Sequence, residues 1–219
     1  MSEENNYTSM DQNEFMKRMK AIASDLWGAV SPEEETPEPA AQKETPPAEP
    51  EKQKTGIQAI WKTADETIDW TDALAHSTPT DGLTGNRMWM FYHKHAQKVL
   101  SGDLNAYTEV LQKANPLGEL TEYAEHITMR APSPDRLESC FTCRKEYLEK
   151  NRKLYLAAMA LRIARDLLAC LPVEEVTVTG EDDGTTVFAG TYTRQQLLHR
   201  NFAFIDPVAL AKECGAEFS

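Results

Sequence analysis

The sequence predicts an α+β fold: several helices packed on a small, mostly antiparallel sheet, with a separate N-terminal amphipathic helix on a disordered linker. Three observations lead there. The apolar stretch "YLAAMALRIARDLLAC" stops at Pro172 and gives way at once to the β-branched "VEEVTV". A second strand-like run, "TTVFAGTYT", lies across a glycine-bounded acidic turn, "GEDDG", so the two runs pair as a hairpin. Upstream, Ser31–Lys54 holds six prolines, seven glutamates and no large apolar residue. Such a segment buries too little surface to offset the entropy of ordering it. The expected organisation is therefore 1–30, an amphipathic helix; 31–54, a disordered Pro/Glu-rich linker; and 55–219, the α+β domain.

The first element is "MDQNEFMKRMKAIASDLWGAV", residues 10–30. Phe15, Met19, Ile22 and Leu26 recur at spacings of four, three and four, and Trp27 widens the stripe. That is one apolar face of a helix of about five turns. A lone helix of this length is marginal in water, so the face calls for a partner: its own domain, a second copy or another protein. Lys17, Arg18 and Lys20 are offset by Asp11, Glu14 and Asp25, so the basic excess that favours anionic lipid is absent.

Within the domain, "TGIQAIWKTADETIDW" reads as a helix with Ile57, Ile60, Trp61, Ala64 and Ile68 on one side. A polar loop over about Thr71–Asn86 follows. "RMWMFYHKHAQKVL" is helical and ends at Gly102. "DLNAYTEVLQKA" starts at the capping Asp103 and stops at Asn115-Pro116. "HITMRA" and "RLESCFTC" alternate as two short strands. The central helix runs from near Glu146 to Cys170, polar after Tyr155 only at Arg162, Arg165 and Asp166. Thr193 and Gln196 form a capping box ahead of a short helix. Asp206, Pro207 and Gly215 mark the start and end of the last one.

Composition narrows the function. Of 219 residues, 35 are acidic and 23 are Lys or Arg, a net charge of −12, which repels a phosphate backbone. The one basic cluster, Arg144, Lys145, Lys150, Arg152 and Lys153, is interrupted by Glu146 and Glu149 and reads as a solvated helix face; nucleic acid is not an expected partner. No apolar run is long enough for a membrane span. The polar start "MSEENNYTSMDQNEF" lacks the features of a secretory signal. Four cysteines in a chain this long fit a reduced, cytoplasmic protein.

Common catalytic signatures are missing: no Gly-Lys-Ser/Thr phosphate loop, G-x-G-x-x-G, H-E-x-x-H, G-x-S-x-G or S-x-x-K occurs. Cys140 and Cys143, two residues apart, can supply two thiolates to zinc or form a redox pair, with His93, His95 or His126 as further ligands. On a strand, however, that spacing puts the two thiols on opposite faces. Arg162, Arg165 and Asp166 form a polar stripe on an otherwise apolar helix, able to pair internally or to face a small acidic ligand or a partner's carboxylate. "GDLNAYTEVLQKANPLGEL", "YLAAMALRIARDLLACLPVEEVTV" and "LLHRNFAFIDP" together resemble a bacterial domain family of unknown function over about residues 103–207. The resemblance implies a bacterial cytoplasmic origin and carries no activity. The expected function is a non-enzymatic interaction or adaptor protein, recruiting a partner or a second copy through residues 10–30. The alternative is a metal-dependent or redox domain using Cys140 and Cys143 with a histidine.

Overall fold

A computed structural model describes residues 56–78 and 86–219. The expected helix over 10–30, with Phe15, Met19, Ile22, Leu26 and Trp27, and the expected linker over 31–54 lie outside the described residues. The described residues fall within one compact unit. Its architecture is α+β, with six α-helices among the described residues and a five-stranded sheet.

The sheet is built around a crossover. Strands β1 (Ala124–Ser133) and β2 (Arg136–Cys143) pair antiparallel across a tight turn at Pro134–Asp135. Strand β3 (Glu175–Asp182) runs parallel to β2. Parallel neighbours need a long connection, and here it is the central helix, α4 (Lys145–Cys170). Strand β4 (Thr185–Thr193) returns antiparallel to β3, and the short β5 (Glu217–Phe218) closes the order β1-β2-β3-β4-β5. Alternation then decides the faces. Leu137, Phe141, Val176, Val178 and Tyr192 are buried, whereas Glu138, Cys140, Thr177 and Thr179 are half-exposed on the other side. Phe141 pairs in register with Gly180, and a Cβ at 180 would come within 2.8 Å of the Phe141 ring, so the glycine makes room for the aromatic.

Helix α4 is the spine. From Tyr155 to Cys170 every residue except the half-buried Arg165 is buried. Ala157, Ala158, Ala160 and Ala164 are fully buried, and their small side chains let neighbouring elements approach closely. The helix breaks once, at Asn151, whose backbone is extended and whose side-chain Oδ1 accepts from Leu154 N at 3.2 Å, capping the buried portion afresh. The other helices pack around it: α1 (Trp70–Ala75), α2 (Asn86–Leu100), α3 (Leu104–Ala114), α5 (Arg194–Leu197) and α6 (Pro207–Glu213). Asp103, Asp206 and the Thr193–Gln196 box cap α3, α6 and α5 as their sequences imply.

Two segments differ from expectation. The stretch 57–68 is not a helix. Ile60–Lys62 makes a single 3-10 turn, and the chain then runs over 63–69 without helix or strand, as a strap along α4. Its apolar residues are indeed inward, with Ile60 and Trp61 buried. The backbone, though, finds its hydrogen bonds outside itself: the carbonyls of Trp61 and Thr63 accept from Arg165, and the N–H of Asp65 donates to Asp166. With those groups satisfied by side chains of α4, a helical ladder is not needed. The helix starts later, where a loop was expected: Asp69 accepts from Thr71 N and Asp72 N and caps α1. The second difference is the β3–β4 turn, which spans two residues rather than five. Asp183 (φ 49°) and Gly184 (φ 77°) both take the left-handed conformation that suits a tight hairpin.

Candidate functional site

Arg162, Arg165 and Asp166 come together against the strap. Arg162 is 4% exposed and Asp166 0%. Arg162 Nε donates to Asp166 Oδ2 at 2.6 Å, the pairing their four-residue spacing allows. Its Nη1 donates to Thr63 Oγ1 at 2.6 Å. Its Nη2 lies 3.4 Å from Glu119 Oε2 and 3.8 Å from Asp65 Oδ1. The second oxygen of Asp166 accepts from Asp65 N at 2.9 Å. Burial pushes the Asp166 carboxyl up to about 6, against the opposing pull of the Arg162 guanidinium. Arg162 binds Thr63 and Asp166 binds the backbone of Asp65, so the pair acts as a clamp holding the strap.

Arg165 differs. It is half-buried, and burial lowers its pKa from the ordinary arginine value. One of its nitrogens donates to the carbonyls of Trp61 and Thr63, and its guanidinium stacks over Phe202, 3.7 Å from the ring centre. Beside it a crevice of about 150 Å³ opens between the strap and the segment 194–202. Asp65 and Thr67 line it from the strap, Leu168 from α4, and Arg194, Leu198 and Phe202 from the far wall. Sequence reasoning read the Thr193–Gln196 segment only as a cap and missed Arg194. Its Nε donates to Val173 O at 3.0 Å, and its Nη2 to Leu168 O and Leu171 O, both at 2.9 Å, satisfying carbonyls at the C-terminal end of α4.

Cys140 and Cys143 occupy opposite faces of β2, Cys140 half-exposed and Cys143 buried. Burial pushes the Cys143 thiol up to about 12 and raises that of Cys140 as well. The histidines are elsewhere. His93 Nδ1 lies 2.7 Å from Ala73 O; His95 contacts Phe91 O and, at 2.8 Å, Glu109; His126 is on β1, across from Thr142. Among the described residues no three His, Cys, Asp or Glu side chains converge as metal ligands would. In the basic cluster, Lys145 pairs with Asp183 at 2.8 Å, and Arg152 donates to the carbonyl of Ser219. Among the described residues no helix is long and apolar enough to cross a membrane.

The surface feature that sequence reasoning did not single out is Phe204. It sits in the 3-10 turn Phe202–Phe204 and is 87% exposed; Leu198, six residues earlier, is 52% exposed. No periodic pattern in "HRNFAFID" distinguishes the inward ring, Phe202, from the outward one. Comparison with family models, with curated proteins and with solved structures gives no match, so the reading of these features rests on their own chemistry.

Proposed function

We propose that the protein is a non-enzymatic interaction protein, a bacterial cytoplasmic adaptor that recruits a partner or a second copy. Residues 10–30, through Phe15, Met19, Ile22, Leu26 and Trp27, supply one apolar contact surface. The α+β domain supplies a second, around Leu198 and Phe204. The observation that carries this reading is Phe204 itself, a ring 87% exposed, with Leu198, six residues earlier in the chain, 52% exposed. Such rings at a surface are enriched where proteins meet, because an aromatic side chain contributes a large contact area at little entropic cost. The net charge of −12 favours a protein partner over nucleic acid.

The test uses the full chain and two variants, Leu26→Glu and Phe204→Glu. Sedimentation velocity reads self-association, and affinity capture from the source cells reads heterologous partners. The reading expects a dimer, or one reproducibly captured protein, in the wild type that weakens in both variants. A wild-type monomer whose captured proteins are unchanged by either substitution overturns it.

A further inference from the structure

We propose that the crevice between the strap and the segment 194–202 binds a small monocarboxylate bearing a short apolar tail. Two guanidinium groups line it, and neither has a carboxylate partner among the described residues. Arg130, Arg136, Arg162 and Arg200 are each paired with an Asp or Glu, and Arg144 and Arg152 donate to backbone carbonyls; Arg165 and Arg194 are set apart by lining one crevice together. Arg165 and Arg194 have only backbone carbonyls, plus the Phe202 ring over Arg165. Carbonyls satisfy hydrogen bonds but leave the full positive charge in place. The Nε and Nη2 of Arg165 and the Nη1 of Arg194 have no acceptor among the described residues. Two guanidinium groups against one lining carboxylate, Asp65, leave the crevice with an excess of positive charge, which suits a single anion.

The rest of the crevice sets the kind of anion. Asp65 lines it as well, 3.8 Å from Arg162. It disfavours a doubly charged phosphate and leaves room for one negative charge. Leu168, Leu197, Leu198 and Phe202 make the walls apolar. The volume of about 150 Å³ is well below the roughly 300–1,000 Å³ of sites for drug-sized ligands, so the tail has only a few carbons. The Phe202 ring and the carbonyls of Trp61 and Thr63 hold the Arg165 guanidinium in place before the carboxylate arrives.

The full-length protein, labelled with ¹⁵N, is titrated with hexanoate, and separately with 1-hexanol and hexylammonium as probes of tail and charge. The expected result is saturable shifts with hexanoate alone, centred on residues 64–67, 165, 168–169 and 197–202. Arg165→Gln and Leu198→Asp are each expected to weaken binding at least about tenfold, the size of one lost charge-assisted contact. Leu198 is half-exposed, so Leu198→Asp changes the charge of the mouth without touching the core and decides the matter if Arg165→Gln unfolds the strap. No saturable shift with hexanoate, equal shifts with 1-hexanol, or undiminished binding by folded Leu198→Asp each overturns the proposal.

Discussion

Replacing Asp166 by alanine tests the clamp most directly. In the folded protein Arg162 is 4% exposed and Asp166 0%, and they share a 2.6 Å hydrogen bond. Removing the carboxylate strands a buried guanidinium and deprives Asp65 N of its acceptor. Breaking a buried ion pair from one side costs about 3–5 kcal/mol. Arg162 keeps Thr63 at 2.6 Å and has Glu119 at 3.4 Å, so the lower end, about 3 kcal/mol, is expected. For a chain of this size that lowers the melting midpoint by about 6–12 °C. Urea unfolding followed by circular dichroism measures the free energy. Adding Arg162→Met removes the stranded charge, and the double variant is expected to recover to within about 2 kcal/mol of the wild type. A loss under about 1 kcal/mol in Asp166→Ala, or a double variant equal to the sum of the singles, refutes a clamp of paired charges.

Three further outcomes follow from buried groups. Because its folded pKa is raised from 3.8 to about 6, Asp166 binds its proton more tightly in the folded state; its contribution is full below about pH 4 and is lost as pH rises through about 6, so urea unfolding of Asp166→Asn should show a flatter pH dependence than wild type over that window. The Tyr192 hydroxyl is buried and, among the described residues, has no hydrogen-bond partner, so Tyr192→Phe should leave stability unchanged or raise it by up to about 1 kcal/mol in the same assay. Burial pushes the thiols of Cys143 and Cys170 up to about 12, which suppresses their thiolates at neutral pH; mass spectrometry after brief iodoacetamide treatment should find the half-exposed Cys140 and Cys214 modified first.

The central helix and the hairpin beyond it were legible in the sequence because each is fixed by local signals. The buried run of α4 is apolar on nearly every side and stops at a proline, and β3 is β-branched. Caps at Asp103, Thr193 and Asp206 act within four residues and appear in the structure as written. The strap was not legible, because Ile57, Ile60, Trp61, Ala64 and Ile68 repeat at a helical period while the groups that hold the segment are arginines and an aspartate about a hundred positions away. The local clue was Asp69, a good cap at the start of α1. The Asp183-Gly184 turn was readable as a two-residue hairpin signal and was obscured by the second glycine, Gly180, which belongs inside β3. Arg162, Arg165 and Asp166 stood out as the polar residues of an apolar helix. Arg194 did not, because nothing near it in sequence distinguishes a surface arginine from one that caps another helix.

The strap also imposes an order on how the chain comes to rest. Asp65 is held by Asp166, 101 positions later, and Arg165 holds Trp61 across 104. Closing a loop of that length costs entropy before any contact is made, so these are late contacts. On the ribosome Ile60 and Trp61 emerge long before their receptor exists, and two large apolar side chains must wait uncovered until α4 has been synthesised and seated on the sheet. The front of the domain is thus the last part to lock, and a chain stalled before residue 166 presents that apolar pair to whatever chaperone stands at the exit.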